Sequence, residues 1–184
     1  FGEKVADPYR WLEDDMSAQT AEWVDAENAV TRKYLDNIPM RKNILKRLKE
    51  TANYEKIGIP FKRQGKWYVY RNNGLQNQSV LYQMDSPTAD ASKQRVWLDP
   101  NTLSTDGTVA LKGIYFSHNG RYMAYVISRS GSDWEEIYVK DCQTGRDIDD
   151  HIVWAKFTSA TWLGDGFYYS AYDAPEKGRE TSAK

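Results

Sequence analysis

The sequence has a single cysteine, Cys142, so no intramolecular disulfide can staple the chain and no cysteine-based metal motif can form. Cys142 itself is expected to be a small, half-apolar residue at a strand end. Apolar runs of the roughly 18 residues that cross a bilayer are missing. So is the charged-apolar-small pattern of a secretion signal. The chain opens at Phe1 rather than at methionine, which implies a trimmed N-terminus. A cytoplasmic location is the expectation, with the periplasm as the alternative. An excess of either charge is lacking too: 25 Lys and Arg face 26 Asp and Glu, a net charge of −1. Nothing therefore draws the chain to nucleic acid or to an anionic membrane. Histidine is scarce, with only His118 and His151, one at a turn and one at the start of a strand-like run. None of the twelve glycines belongs to a Gly-x-Ser-x-Gly, so a nucleophile elbow is excluded from this chain and no catalytic residue is assigned in it.

What the sequence does have is aromatic residues, 14% of the total with seven Trp and thirteen Tyr. These favour pleated, half-buried surfaces. The first fifty or so residues nevertheless read as helix. Ser17 is placed to cap a helix running to Ile38, whose apolar stripe is Trp23, Ala26, Val30 and Tyr34. Pro39 is placed to open a second helix, to Thr51, with Met40, Ile44, Leu45 and Leu48 on one face. Arg41, Lys42, Lys46, Arg47 and Lys49 on its other face read as a solvated stripe rather than a nucleic-acid surface.

After Tyr54 the apolar period changes from 3.6 to two. Ile59–Gln64, Lys66–Arg71, Val80–Asp85 and Arg95–Asp99 form one group of strand-like runs. Ala110–Phe116, Tyr122–Ser128, Glu135–Lys140 and a weaker run over His151–Trp154 form a second. A third opens with Thr158–Leu163 and continues through Phe167–Tyr172. The pairs Asn119-Gly120 and Asp165-Gly166 lie 46 residues apart (165 minus 119), each between aromatic-rich runs. Gly65 before Trp67 repeats the pattern once more. Such spacing suits a four-stranded blade repeated about a propeller axis. The fold class expected is thus mainly β with an N-terminal helical segment: an incomplete β-propeller of about two and a half blades. Its open sheet edges invite self-association.

Three carboxylates in Asp147-Ile148-Asp149-Asp150 could hold a hard cation, but their spacing fits no calcium loop and a solvated loop is expected instead. Asn77-Gln78-Ser79 matches a glycosylation sequon, which carries weight only in a secretory context.

Several stretches together resemble the prolyl oligopeptidase family. They are Asp7-Pro8-Tyr9-Arg10-Trp11-Leu12-Glu13-Asp14, Ala26-Glu27-Asn28, Ser130-Gly131-Ser132-Asp133-Trp134, Lys156-Phe157-Thr158-Ser159-Ala160-Thr161-Trp162 and Phe167-Tyr168-Tyr169-Ser170-Ala171-Tyr172. The resemblance runs through essentially the whole chain in the family's order. It implies that residues 1–54 are a helical strap packing on a peptidase domain and that residues 55–184 are the first blades of a seven-bladed propeller. The Ser-Asp-His triad would reside in an α/β-hydrolase domain outside this sequence. The implied substrates are short proline-containing peptides, cleaved after proline, with no cofactor, no metal, no nucleic acid and no membrane. The propeller would act as a gate that excludes large substrates. Phe157 matches a family phenylalanine that lends apolar surface to substrate; the alternative for Phe157 is a core aromatic of the third blade. Two rival readings are an oligopeptidase cleaving after basic residues and a non-catalytic propeller that serves as a binding platform.

Overall fold

A computed structural model describes residues 2–174; Phe1 and residues 175–184, the end of the expected third-blade stretch, lie outside the described residues. Two compact units divide the chain, with residues 2–51 in the first and 52–174 in the second.

In the first unit, a short 3-10 turn over Arg10–Glu13 precedes helix α1 (Ala18–Asp36). Arg10 bridges Asp7 (2.7 Å) and Glu13 (3.2 Å), which closes the Asp7–Asp14 segment on itself. Ser17 is extended, and its hydroxyl oxygen accepts from the Thr20 amide (3.1 Å), which satisfies one of the four free N–H groups at the helix start. The Thr20 hydroxyl donates onward to the Trp11 carbonyl (3.4 Å), and the Trp11 and Trp23 rings meet edge-on at 6.3 Å. Replacing Ser17 with alanine is expected to cost about 1 kcal/mol, read as a fall in the urea midpoint followed by helical circular dichroism.

Helix α2 (Arg41–Ala52) begins two residues later than Pro39. Met40 supplies the carbonyl that accepts the first helical bond, from the Ile44 amide (2.9 Å), so Pro39 sits in the connecting turn and not at the first helical position. Its basic face carries exposed pairs, Lys46 and Arg47 with Glu50 (4.0 and 3.6 Å). Val30, Tyr34, Met40, Ile44, Leu45 and Leu48 are all exposed among the described residues, so most of both apolar stripes is open.

The second unit consists of three antiparallel sheets. The first carries β1 (Lys56–Ile57), β2 (Phe61–Arg63), β3 (Lys66–Asn72), β4 (Val80–Met84) and β5 (Arg95–Leu98). Both β1 and β2 pair with β3, so they are two halves of one strand position. The sequence predicts an unbroken run over Ile59–Gln64; the structure interrupts it. Pro60 has no N–H to give the ladder, Ile59 is 91% exposed, and Gln64 turns at φ +43°.

The second sheet follows as β6 (Ala110–Phe116), β7 (Tyr122–Ser128), β8 (Trp134–Asp141) and β9 (Asp147–Lys156), in sequential order. The weak run expected at His151–Trp154 is a ten-residue strand, and Asp147–Asp150 belongs to it rather than to a loop. Period two separates these carboxylates between faces. Asp147 accepts from the Tyr125 hydroxyl and pairs with Lys140, both at 2.9 Å. Among the described residues no group of His, Cys, Asp and Glu could hold a metal ion. The third sheet is a two-stranded hairpin, β10 (Thr161–Leu163) with β11 (Gly166–Tyr168).

Strand β7 explains how the sheets stack. Its core, Met123-Ala124-Tyr125-Val126-Ile127, is buried on both faces, so it reads as a continuous apolar run. Met123, Tyr125 and Ile127 pack with Tyr68, Leu81, Trp97 and Leu98 of the first sheet. Ala124 and Val126 face the other way and pack with Ile137, Val139, Ala155, Ala160 and Trp162. Alanine on that side leaves room for the indole of Trp162, which donates to the Tyr115 carbonyl (2.9 Å) and ties β10 to β6. The second sheet is thus a wedge between two neighbours, and the three sheets do not close into a ring among the described residues. Cys142, just past β8, is half-buried against the first of these cores; burial pushes its thiol up to about 11 and leaves it a poor nucleophile.

Candidate functional site

The two ends of the stacked sheets differ. One end collects the repeated turns. Gln64 sends its side-chain amide to the His118 carbonyl, and the Asn119 amide donates to Asp165 (3.0 Å). The two Asn/Asp-Gly pairs, 46 residues apart in sequence, are therefore side by side in space. Gly120 has φ +68°, and a Cβ there would collide with the Gln64 side chain. Glycine is needed both for the dihedral and for the close approach. Behind these turns a cleft of about 520 Å³ opens between the first strands of the three sheets, lined by Phe61, Arg63, Phe116, His118, Thr161 and Trp162 among others.

The other end lies about 20 Å away by strand rise. There β8 and β9 meet, with Trp134 opposite Lys156. Trp134 stands edge-on to Trp154 (5.5 Å) and to Tyr172 (5.6 Å), and a 240 Å³ hollow opens beside Trp134 and Trp154. Phe157 follows β9 directly. It has φ +50°, a left-handed conformation uncommon for a residue with a Cβ, and is 76% exposed. Among the described residues Phe157 thus lies outside the core, which Ala155, fully buried, and Ala160 fill on either side of it.

Between these ends Glu136 gathers three donors on the surface of the second sheet: Arg129 (2.6 Å), the Tyr138 hydroxyl (2.7 Å) and His151 (3.0 Å). Tyr125, Tyr138 and His151 stack across β7, β8 and β9 at 5.5 and 4.3 Å. Partial burial alone would raise the Glu136 carboxyl, but the hydrogen bonds from Arg129, Tyr138 and His151 outweigh it and hold the group down at about 2. A depressed folded value stabilises the fold above the ordinary value of 4.5, and that stability is lost as pH falls toward 2. Glu136→Gln is therefore expected to lower the urea midpoint at pH 6 and to flatten its fall between pH 4.5 and 2. An equal fall in both proteins over that range would contradict this.

Among the described residues neither histidine is hydrogen-bonded to a serine or a cysteine. His118 bonds the Trp162 carbonyl (3.1 Å) and His151 serves Glu136, so both are structural. What the described residues offer is a cleft and an aromatic rim.

Comparison with known proteins gives this arrangement its context. The family described as "Prolyl oligopeptidase, N-terminal beta-propeller domain" matches residues 1–184. The chain belongs to it.

Among relatives, a prolyl endopeptidase of Elizabethkingia miricola is 47% identical over 179 residues, covering 97% of this chain and 25% of that protein. Prolyl oligopeptidase A of Amanita bisporigera is 38% identical over 190 residues, covering 92% and 25%. The chain thus spans about a quarter of the length of the curated relatives it matches. Among solved structures, prolyl oligopeptidase B from Galerina marginata, bound to a 35mer hydrolysis and macrocyclization substrate, aligns with TM-score 0.76 at 30% identity over 94% of this chain and 27% of that one. The open stack of sheets is accordingly an incomplete prolyl oligopeptidase propeller. In this propeller Phe157 projects from the connection between the second sheet and the third. The contribution of Gln78 was not apparent from the sequence. From the loop between β3 and β4 it donates to the Val109 carbonyl (2.5 Å) and accepts from the Leu111 amide (2.7 Å), joining first sheet to second. No pattern in the sequence marks such a long-range tie.

Proposed function

We propose that the chain is the non-catalytic front portion of a serine peptidase that cleaves short peptides after proline. The match to the propeller family over every residue carries this reading, together with relatives named as prolyl endopeptidases. Their names favour proline over a basic residue at the cleaved position. The catalytic serine and its partners lie in a peptidase domain beyond this sequence, since no Gly-x-Ser-x-Gly occurs in it. The apolar faces of α1 and α2 dock on that domain, and the stacked sheets form part of a rigid filter that admits flexible peptides. Phe157 supplies apolar surface to the bound peptide, a role supported by its exposure and its place at the rim of the sheets. Without the peptidase domain, the bare sheet edges and helix faces promote self-association.

An assay of the whole protein tests this reading, using matched chromogenic peptides that end in proline or in arginine. Hydrolysis of the proline peptide alone is expected, together with no turnover by the purified 184-residue chain. Preference for arginine, or activity of the chain by itself, would sink it.

A further inference from the structure

Phe157 presents its ring from a backbone held on both sides. On the N-terminal side, Lys156 is in register with Trp134 and extends its ammonium 5.1 Å above the Trp134 ring and 5.6 Å above the Phe157 ring. Only 28% of its side chain is exposed, and the carboxylate of Asp133 stands at 3.9 Å. On the C-terminal side the Thr158 amide donates to Glu135 (3.3 Å), a buried carboxylate that no cation pairs among the described residues. The Thr158 hydroxyl oxygen in turn accepts from the Ser170 amide (2.8 Å). A buried carboxylate is costly unless it is hydrogen-bonded, so Glu135 holds the Thr158 amide firmly. The Phe157 ring is largely exposed among the described residues, so close packing there does little to choose its rotamer. The Lys156 ammonium, within cation–π reach of both rings, is a contact that can favour one.

We propose that Lys156 is a positioning residue for substrate recognition: its ammonium, in cation–π reach of both Trp134 and Phe157, holds the Phe157 ring outward as a preformed apolar surface for the peptide. This rests on the role of Phe157 proposed above. Preorganisation of this kind lowers the cost of ordering the ring when peptide binds, and so acts on KM and not on the chemical step.

The test uses the whole enzyme and a series of short proline peptides in which one leucine is moved through the positions before the proline, with glycine elsewhere. The peptide whose KM depends most on Phe157 is found with Phe157→Ala. For that peptide Lys156→Gln is expected to reduce the leucine-over-glycine preference about three- to fivefold, at unchanged kcat and unchanged melting temperature. Lys156→Arg is expected to keep the preference, because a guanidinium also stacks on aromatic rings. If Phe157→Ala changes no preference at any position, the role of Phe157 fails, and the positioning role with it. If Phe157→Ala abolishes a preference that Lys156→Gln leaves intact, or if Lys156→Gln raises KM equally for leucine and glycine peptides, the positioning role alone is overturned.

Discussion

Met123→Ala is expected to lower the unfolding free energy of the chain by about 3–5 kcal/mol. Met123 is 0% exposed and lies mid-strand in β7, where its side chain fills the space between the first and second sheets. Alanine would leave a cavity that two pleated sheets cannot collapse to fill. It would also remove the sulfur that accepts from the Trp97 indole N–H (3.4 Å), leaving a buried donor without a partner. Met123→Leu separates the two contributions: it keeps the volume but not the acceptor and is expected to cost about 1–2 kcal/mol. Urea titration of both variants at neutral pH measures the difference. A cost for alanine below 1 kcal/mol would mean that the two sheets do not share this core.

The second large effect is functional. Phe157→Ala in the whole enzyme is expected to raise KM for short proline peptides about tenfold while leaving the melting temperature within a degree or so, because a ring this exposed contributes little to the fold. Tenfold corresponds to about 1.4 kcal/mol, a reasonable share of the transfer free energy of one phenyl ring laid against a peptide. Phe157→Leu is expected to recover part of the loss. Michaelis kinetics with scanning calorimetry on the same samples checks both. A fallen melting temperature with unchanged KM would make Phe157 a structural residue after all.

These two residues also show how far the sequence can be read. Met123 sits in an apolar run whose strand character is plain, and the alternation of large and small residues along β7 is visible once both faces are known to be buried. Phe157 is different. A phenylalanine between a lysine and a threonine has no periodicity that tells an exposed ring from a core one. Its left-handed backbone, just past the end of β9, is a conformation that nothing in the neighbouring residue types announces. The acidic stretch at Asp147 misleads for a related reason. Three carboxylates look like a solvated loop, yet partners on neighbouring strands, Tyr125 and Lys140, make a strand of it.

Local chemistry by itself determined a good deal of this protein: the capped helix at Ser17, the change of period after Tyr54, the glycine turns 46 residues apart, and the lack of a nucleophile elbow. Each depends on residues within a few positions of one another, where propensity and spacing act directly. Tertiary structure alone decided which face of β7 meets which sheet, that Asn119 and Asp165 touch, that Gln78 ties two sheets, and that Phe157 stands in solvent beside Lys156. Those contacts join residues far apart along the chain, and they form only when whole sheets stack and expel water from between their faces.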